Sequence, residues 1–215
     1  MDQISKVKET NETVKAIDIE TGDSSLPTWL DRISFRIAFI ATFTALAVVL
    51  GFFLAFIPNI ELFTLIIFLS GFILGIREGM IIGALSSLIF IFFNPFGASP
   101  PPLFLYQLFH YTMTGLSGAL TSRFLKKRKF YSPKEDLYRL PIMIILGITG
   151  LIITTSFQLL STLVDVFVYF GTIGEFLPYF LTGIPFTIIH IVGNMLGFTF
   201  ILPGLIQLIY KLLNW

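Results

Sequence analysis

From Arg32 onward the chain is apolar in blocks separated by short polar or proline-bearing breaks. Before that point the segment from Met1 to Asp31 is polar, mixed in charge and without a sustained apolar face. Such a segment cannot bury enough apolar surface to order itself, so 1–31 reads as a disordered tail and 32–215 as the membrane domain. The blocks run over 37–57, 62–76, 80–93, 103–122, 140–164 and 177–210. A span needs about 20 apolar residues to cross roughly 30 Å of hydrocarbon. The first, fourth and fifth blocks qualify outright. The sixth is over-long, and Pro185 and Pro203 are expected to kink or break it, with the interface as one place for the stretch from Gly204. Blocks two and three are short. They read as two spans lengthened by their flanks or as a re-entrant hairpin. The hairpin would bring Arg77 and Glu78 to membrane depth at a cost of several kcal/mol, so two spans are preferred.

The expected fold is therefore an all-α membrane protein, a six-transmembrane-helix bundle with both termini cytoplasmic. Charge placement supports the count. Of the 27 charged residues, 12 lie in 1–36 and 9 in 123–139. With six spans, the tail, the turn at 76–80, the loop 123–139 and the C-terminus share one side, which then holds all 14 Lys and Arg residues. The other side holds only Glu61, Asp165 and Glu175. By the positive-inside rule the basic side is the cytoplasm, and five or seven spans would destroy the segregation. Lys126-Lys127-Arg128-Lys129 reads as a stop-transfer anchor on the bilayer.

Charged residues make up 13% of the 215 positions, about half the share usual in soluble domains, which excludes an ordinary soluble enzyme. With no cysteine there is no disulfide framework, thiol catalysis or Cys-based metal site. A phosphate-cradling P-loop, His-Glu-x-x-His and Gly-x-Ser-x-Gly are all missing. No metal, cofactor or nucleic-acid partner is expected, and the chain is not expected to be an enzyme. A passive binder that depends on partners fits better than a self-powered pump.

The polar residues within the blocks are few and gather toward the acidic side. Asn59 and Glu61 precede the second block, and Asn94 ends the third. Tyr106, Gln107 and His110 lie on the outer half of the fourth, with Tyr106 and His110 four apart on one face. Gln158 and Asp165 lie near the outer end of the fifth, and His190 and Asn194, again four apart, in the sixth. Polar groups at membrane depth are costly unless a bundle interior or wet cavity satisfies them. The set thus suggests an outward cavity, and 25 Phe and 7 Tyr supply its walls. That suits a planar or bulky, partly apolar ligand fixed by a few hydrogen bonds. Each member also has a plainer reading. Glu61 can be a helix N-cap, Asn94 a loop cap, and Asp165 a solvated loop charge, while His190 and Asn194 can bond neighbouring helices. Gly71, Gly75, Gly79 and Gly83 recur every four residues and read as a tight hairpin with close helix packing. Ala41 and Ala45 form a small-x-x-x-small pair, which serves either internal packing or a partner helix.

Taken together, Ala41/Ala45, Pro58-Asn59-Ile60-Glu61, Leu69-Ser70-Gly71-Phe72-Ile73-Leu74-Gly75 with Arg77-Glu78-Gly79, Asn94-Pro95-Phe96-Gly97, and Pro185 with His190 and Asn194 resemble the substrate-binding S component of energy-coupling factor (ECF) transporters. The resemblance covers roughly 33–213. It implies a multi-pass protein of a prokaryotic plasma membrane that captures a vitamin or related micronutrient from outside. It further implies delivery inward with a membrane coupling subunit and two cytoplasmic ATPases, and docking through Ala41 and Ala45. The tail is longer than the family's, and the thiamin, riboflavin and biotin signatures are not recognised. Cobalamin is the first expectation for the ligand, from the breadth of the aromatic lining. The alternatives are a membrane scaffold or assembly factor, which needs no polar cavity, and an intramembrane lipid enzyme, which needs a carboxylate or metal beside His110 or His190.

Overall fold

The computed structural model describes residues 33–94, 97 and 99–213. The tail and the residues Pro95 and Phe96 of the fourth motif lie outside the described residues. The chain divides between Phe35 and Arg36 into two units, and apart from residues 33–35, which begin the first helix, everything below concerns the second.

The described residues form helices and connecting turns, with no strand among them. The elements are α1 (Ile33–Leu54), α2 (Phe63–Leu74), α3 (Ile76–Phe92), α4 (Pro101–Lys126) and α5 (Leu140–Phe170). A 3-10 turn (Ile173–Glu175), α6 (Phe176–Thr182), α7 (Ile184–Leu196), a π turn (Gly197–Ile201) and α8 (Leu202–Leu212) complete the chain. Among the described residues, three helical rods are long and apolar enough to cross a bilayer: α1 with 22 residues, α5 with 31, and the continuous 184–212 rod with 29. Only 28%, 33% and 33% of their apolar windows are buried, so most of each rod faces outward. On α5 the exposed residues Ile144, Ile148 and Ile152 stand one turn apart. Apolar faces this extensive point to a membrane protein.

The other blocks depart from the span expectation for physical reasons. α4 has 26 residues but is not among the apolar rods, because Gln107, His110, Thr112, Thr114, Ser117 and Thr121 dilute it. α2 has 12 residues, about 18 Å of rise, well short of the hydrocarbon thickness. Every residue from Phe63 to Ile73 is buried, so α2 is enclosed by protein on all sides. The sixth block breaks at Gly183, and Pro185 opens α7 in a first turn where its missing N–H costs nothing. At Pro203 the rod does not stop. The π turn before it absorbs the lost bond, and the stretch from Gly204 continues the same helix.

α2 and α3 meet at Gly75, whose φ of 102° and ψ of −173° belong to glycine alone. A side chain there would strain the backbone. The resulting hairpin lies against α4 so closely that backbones touch. A Cβ on Gly71 would overlap the Gly115 carbonyl, one on Gly115 the Gly79 carbonyl, and one on Gly118 the Phe68 carbonyl. The four-residue glycine repeat thus serves a three-helix contact, with Gly115 and Gly118 of α4 as its other half.

Contacts sort the helix ends into two groups. Arg36 at the start of α1 pairs with buried Glu78 at the start of α3. Phe72 near the end of α2 packs on Tyr131 of the loop after α4, and Gln207 of α8 donates to the Glu135 carbonyl in that loop. These contacts gather the described basic residues at one end. The turn around Asn59 and Glu61, the start of α4 and the start of α7 lie at the other.

Candidate functional site

The site begins with a sequence inversion on α7. This helix is apolar, yet its only buried residues are His190 and Asn194. Four residues apart, they form a polar stripe turned into the protein. They face Gln158 and Thr154 on α5, also four apart. Gln158 Nε2 lies 3.0 Å from His190 Nδ1, and Asn194 Nδ2 donates to Thr154 Oγ1 at 3.0 Å. The two antiparallel helices are thereby stitched by matched polar rungs, which lipid-facing residues could not supply.

The stripe converges on Glu61, just ahead of α2. Its Oε1 accepts from His190 Nε2 at 3.0 Å, Asn194 Nδ2 at 3.3 Å and Thr64 Oγ1 at 2.5 Å. Both ring nitrogens of His190 thus have a polar partner, Nε2 the Glu61 carboxylate and Nδ1 the Gln158 amide. Glu61 is not an N-cap: α2 has Leu62 at that position, without a side-chain cap, and the carboxylate's partners are side chains. The turn that delivers Glu61 passes through Asn59, the only non-glycine residue with positive φ among those described. Asparagine enters that region more readily than other residues that carry a side chain.

Around this polar centre lies an aromatic shell. Phe157 packs between His110 at 5.0 Å, Tyr111 at 5.8 Å, His190 at 6.0 Å and Tyr106 at 6.1 Å, measured between ring centroids. Tyr106 also donates to the Ser156 carbonyl at 3.2 Å. Two clefts open on the assembly. One, of about 220 Å³, is lined by Asn59, Glu61, Gln107, Tyr111, Phe157 and His190 among others. The second, of about 340 Å³, is lined by Asn59, Gln158 and Thr162 together with residues of α6 and the start of α7. Asn59 borders both, and the Gln158–His190 bond joins a wall of one to a wall of the other.

The ten residues singled out from the sequence are thus distributed rather than equivalent. Asn59, Glu61, Gln107 and His190 line the first cleft, and Asn59 and Gln158 the second. Asn194 lies buried beneath Glu61. Tyr106 and His110 belong to the aromatic shell, and the His110 ring nitrogens make no hydrogen bond among the described residues. Asn94 and Asp165 line neither cleft. Asp165 sits within α5, which runs six residues past the expected end, and its Oδ1 is buried without a partner among the described residues. Thr64 and Thr154 complete the network without having been singled out. Their spacings, three from Glu61 and four from Gln158, were the available signal. Ala41 and Ala45 both lie on the exposed side of α1.

Comparison with protein-family models, with curated proteins and with solved structures gives no match. The chemistry of the site is therefore read from this chain itself. A carboxylate, an imidazole and the amides of Gln158 and Asn194 are held by hydrogen bonds beside aromatic walls, an arrangement suited to orienting a small ligand.

Proposed function

We propose that the chain is the substrate-capturing S component of an ECF-type transporter. It takes a small organic micronutrient from outside and passes it inward with a membrane coupling subunit and two cytoplasmic ATPases. In this reading the six helical legs cross the membrane with both termini cytoplasmic, in the plasma membrane of a prokaryote. The observation that carries the proposal is the Glu61–His190–Asn194–Gln158 network bordering clefts at the end of the bundle opposite the basic residues. Polar groups at that depth are expensive to maintain in lipid, which favours a ligand-binding role over a purely structural one. The exposed placement of Ala41 and Ala45 supports their use as a face for a partner helix. Cleft volumes of about 220 and 340 Å³ favour a ligand much smaller than cobalamin.

The His190–Glu61 pair also meets the geometric requirement of a general base, so an enzymatic reading has an observation behind it. Binding is preferred because both imidazole nitrogens already have partners within the protein, one Glu61 and one Gln158. The proposal is tested by mass spectrometry of small molecules released from the detergent-purified protein, together with pull-down from its native membrane. A bound micronutrient and a recovered coupling subunit with ATPases are expected. Ala41→Trp and Ala45→Trp are expected to weaken that complex and leave the bound small molecule in place. Recovery of neither ligand nor ATPases would sink the proposal in favour of a scaffold.

A further inference from the structure

The three donors that reach Glu61 all bond the same oxygen. His190, Asn194 and Thr64 converge on Oε1, and no donor among the described residues reaches Oε2. Yet Glu61 lines the 220 Å³ cleft, and its side chain keeps 20% of its exposure. The carboxylate is thus anchored at one oxygen and open at the other. Among the described residues it is also the only carboxylate on that cleft, and no Lys or Arg lines it. An unpartnered carboxylate oxygen in a low-dielectric cleft is a strong acceptor in want of a donor. Phe90, Tyr111 and Phe157 form aromatic walls of the same space, and such faces attract positive charge and planar rings. An anion would meet the carboxylate with no Lys or Arg to offset the repulsion.

From this geometry we infer that the cleft takes a compact planar organic cation, or a heteroaromatic ring bearing N–H donors, with its donor edge on Glu61 Oε2. Asn59 and Gln107 are placed to bond the remaining edges. The inference rests on reading this cleft as a ligand site, and deepens that reading by naming the ligand's charge and shape.

The native chain has no cysteine, so Ala55→Cys places one reporter thiol on the cleft wall, and Gly174→Cys places a control on an exposed turn. The full-length variants in detergent are labelled with N-ethylmaleimide in the presence of benzamidine, benzamide or benzoate. These three probes share a ring and differ in charge. A charge-assisted hydrogen bond contributes about 1.5–3 kcal/mol, so at equal concentration benzamidine is expected to slow labelling of the cleft thiol about tenfold more than benzoate does. The control thiol on the turn is expected to be indifferent to all three. Glu61→Gln is expected to remove the preference. The comparison among probes needs no change at Glu61, so it stands even where that variant folds poorly. Protection by benzoate equal to that by benzamidine, or by neither while the cleft thiol reacts freely, overturns the cation assignment and leaves the cleft reading intact. A cleft thiol that reacts with nothing while the control thiol reacts normally overturns both.

Discussion

At the scale of single residues, Asn194 is where the site and the fold depend on the same atom. It is 3% exposed, and its one amide nitrogen donates to both Glu61 and Thr154. Replacing it with leucine removes both bonds and leaves two acceptors without this donor. Buried groups deprived of a partner cost about 1–3 kcal/mol each, and hydrogen bonds between membrane helices sit toward the low end of such values. Asn194→Leu is therefore expected to lower stability by about 1–2 kcal/mol, and Thr154→Val by less. Thermal unfolding in detergent reads both, and the double variant is expected to be less destabilised than the sum of the two singles. Strict additivity would mean the 3.0 Å contact carries no energy. The residues of this network were legible in the sequence to different degrees. Glu61, His190 and Asn194 stood out because a charge or amide in an apolar run is conspicuous. Thr154 and Thr64 did not. Threonine in an apolar helix commonly returns its hydroxyl to its own backbone, as Thr112, Thr114, Thr121 and Thr149 do here. Only spacing marks the two whose hydroxyls meet another side chain, Thr64 three residues after Glu61 and Thr154 four before Gln158.

At the scale of elements, the decisive contact is the meeting of α2, α3 and α4 through glycine. Gly115 faces the Gly79 carbonyl with no room for a methyl group. Gly115→Ala must push α4 off the hairpin or distort it, and is expected to destabilise by about 2–3 kcal/mol through overpacking. Gly174→Ala is the matched control. Its added methyl meets only the Thr172 hydroxyl at ordinary contact distance, so the expected change is within about 0.5 kcal/mol. Equal unfolding temperatures for the two variants would remove the three-helix contact as a source of stability. Helical type was readable from the apolar blocks, and so was the role of the glycine repeat. The partner of that repeat was not, because Gly115 and Gly118 sit in a helix diluted by polar residues and far from the repeat along the chain. Proline gave the right positions but not the outcomes. Pro185 follows Gly183, where the chain had already turned, so a new helix begins. Pro203 follows an uninterrupted run, where a π turn is the lower-cost answer.

At the scale of the whole molecule, topology turns on parity. Three rods among the described residues are able to cross a bilayer by length and composition, and three crossings alone would put residues 33 and 213 on opposite sides. The six crossings proposed above take the other parity. α1 starts at the end where Arg36 meets Glu78, α2 returns to that end at Gly75, and α4 returns to it beside Tyr131. The 184–212 rod returns to it as well, where Gln207 meets the 127–139 loop. Each long rod is thus paired with a leg running the other way, and the short or polar legs are those lined most completely by protein or cleft. Backbone at membrane depth needs no lipid-compatible exterior when protein surrounds it, so a 12-residue α2 can complete a crossing that it could not make alone. The same geometry gathers the described Lys and Arg residues at one end and leaves Glu61 and Glu175 toward the other. Lys134→Cys and Gly174→Cys, each supplying the only thiol in its chain, report this directly through an impermeant maleimide applied to intact cells and to inverted vesicles. The thiol in the 173–175 turn is expected to react only from outside, and the one in the basic loop only from the cytoplasmic face. If both react from one face, the alternating arrangement fails as a membrane topology. The Glu61 cleft would then have to be assigned afresh to a side of the membrane, because the orientation of the cleft is inherited from the basic end and from nothing within the cleft itself.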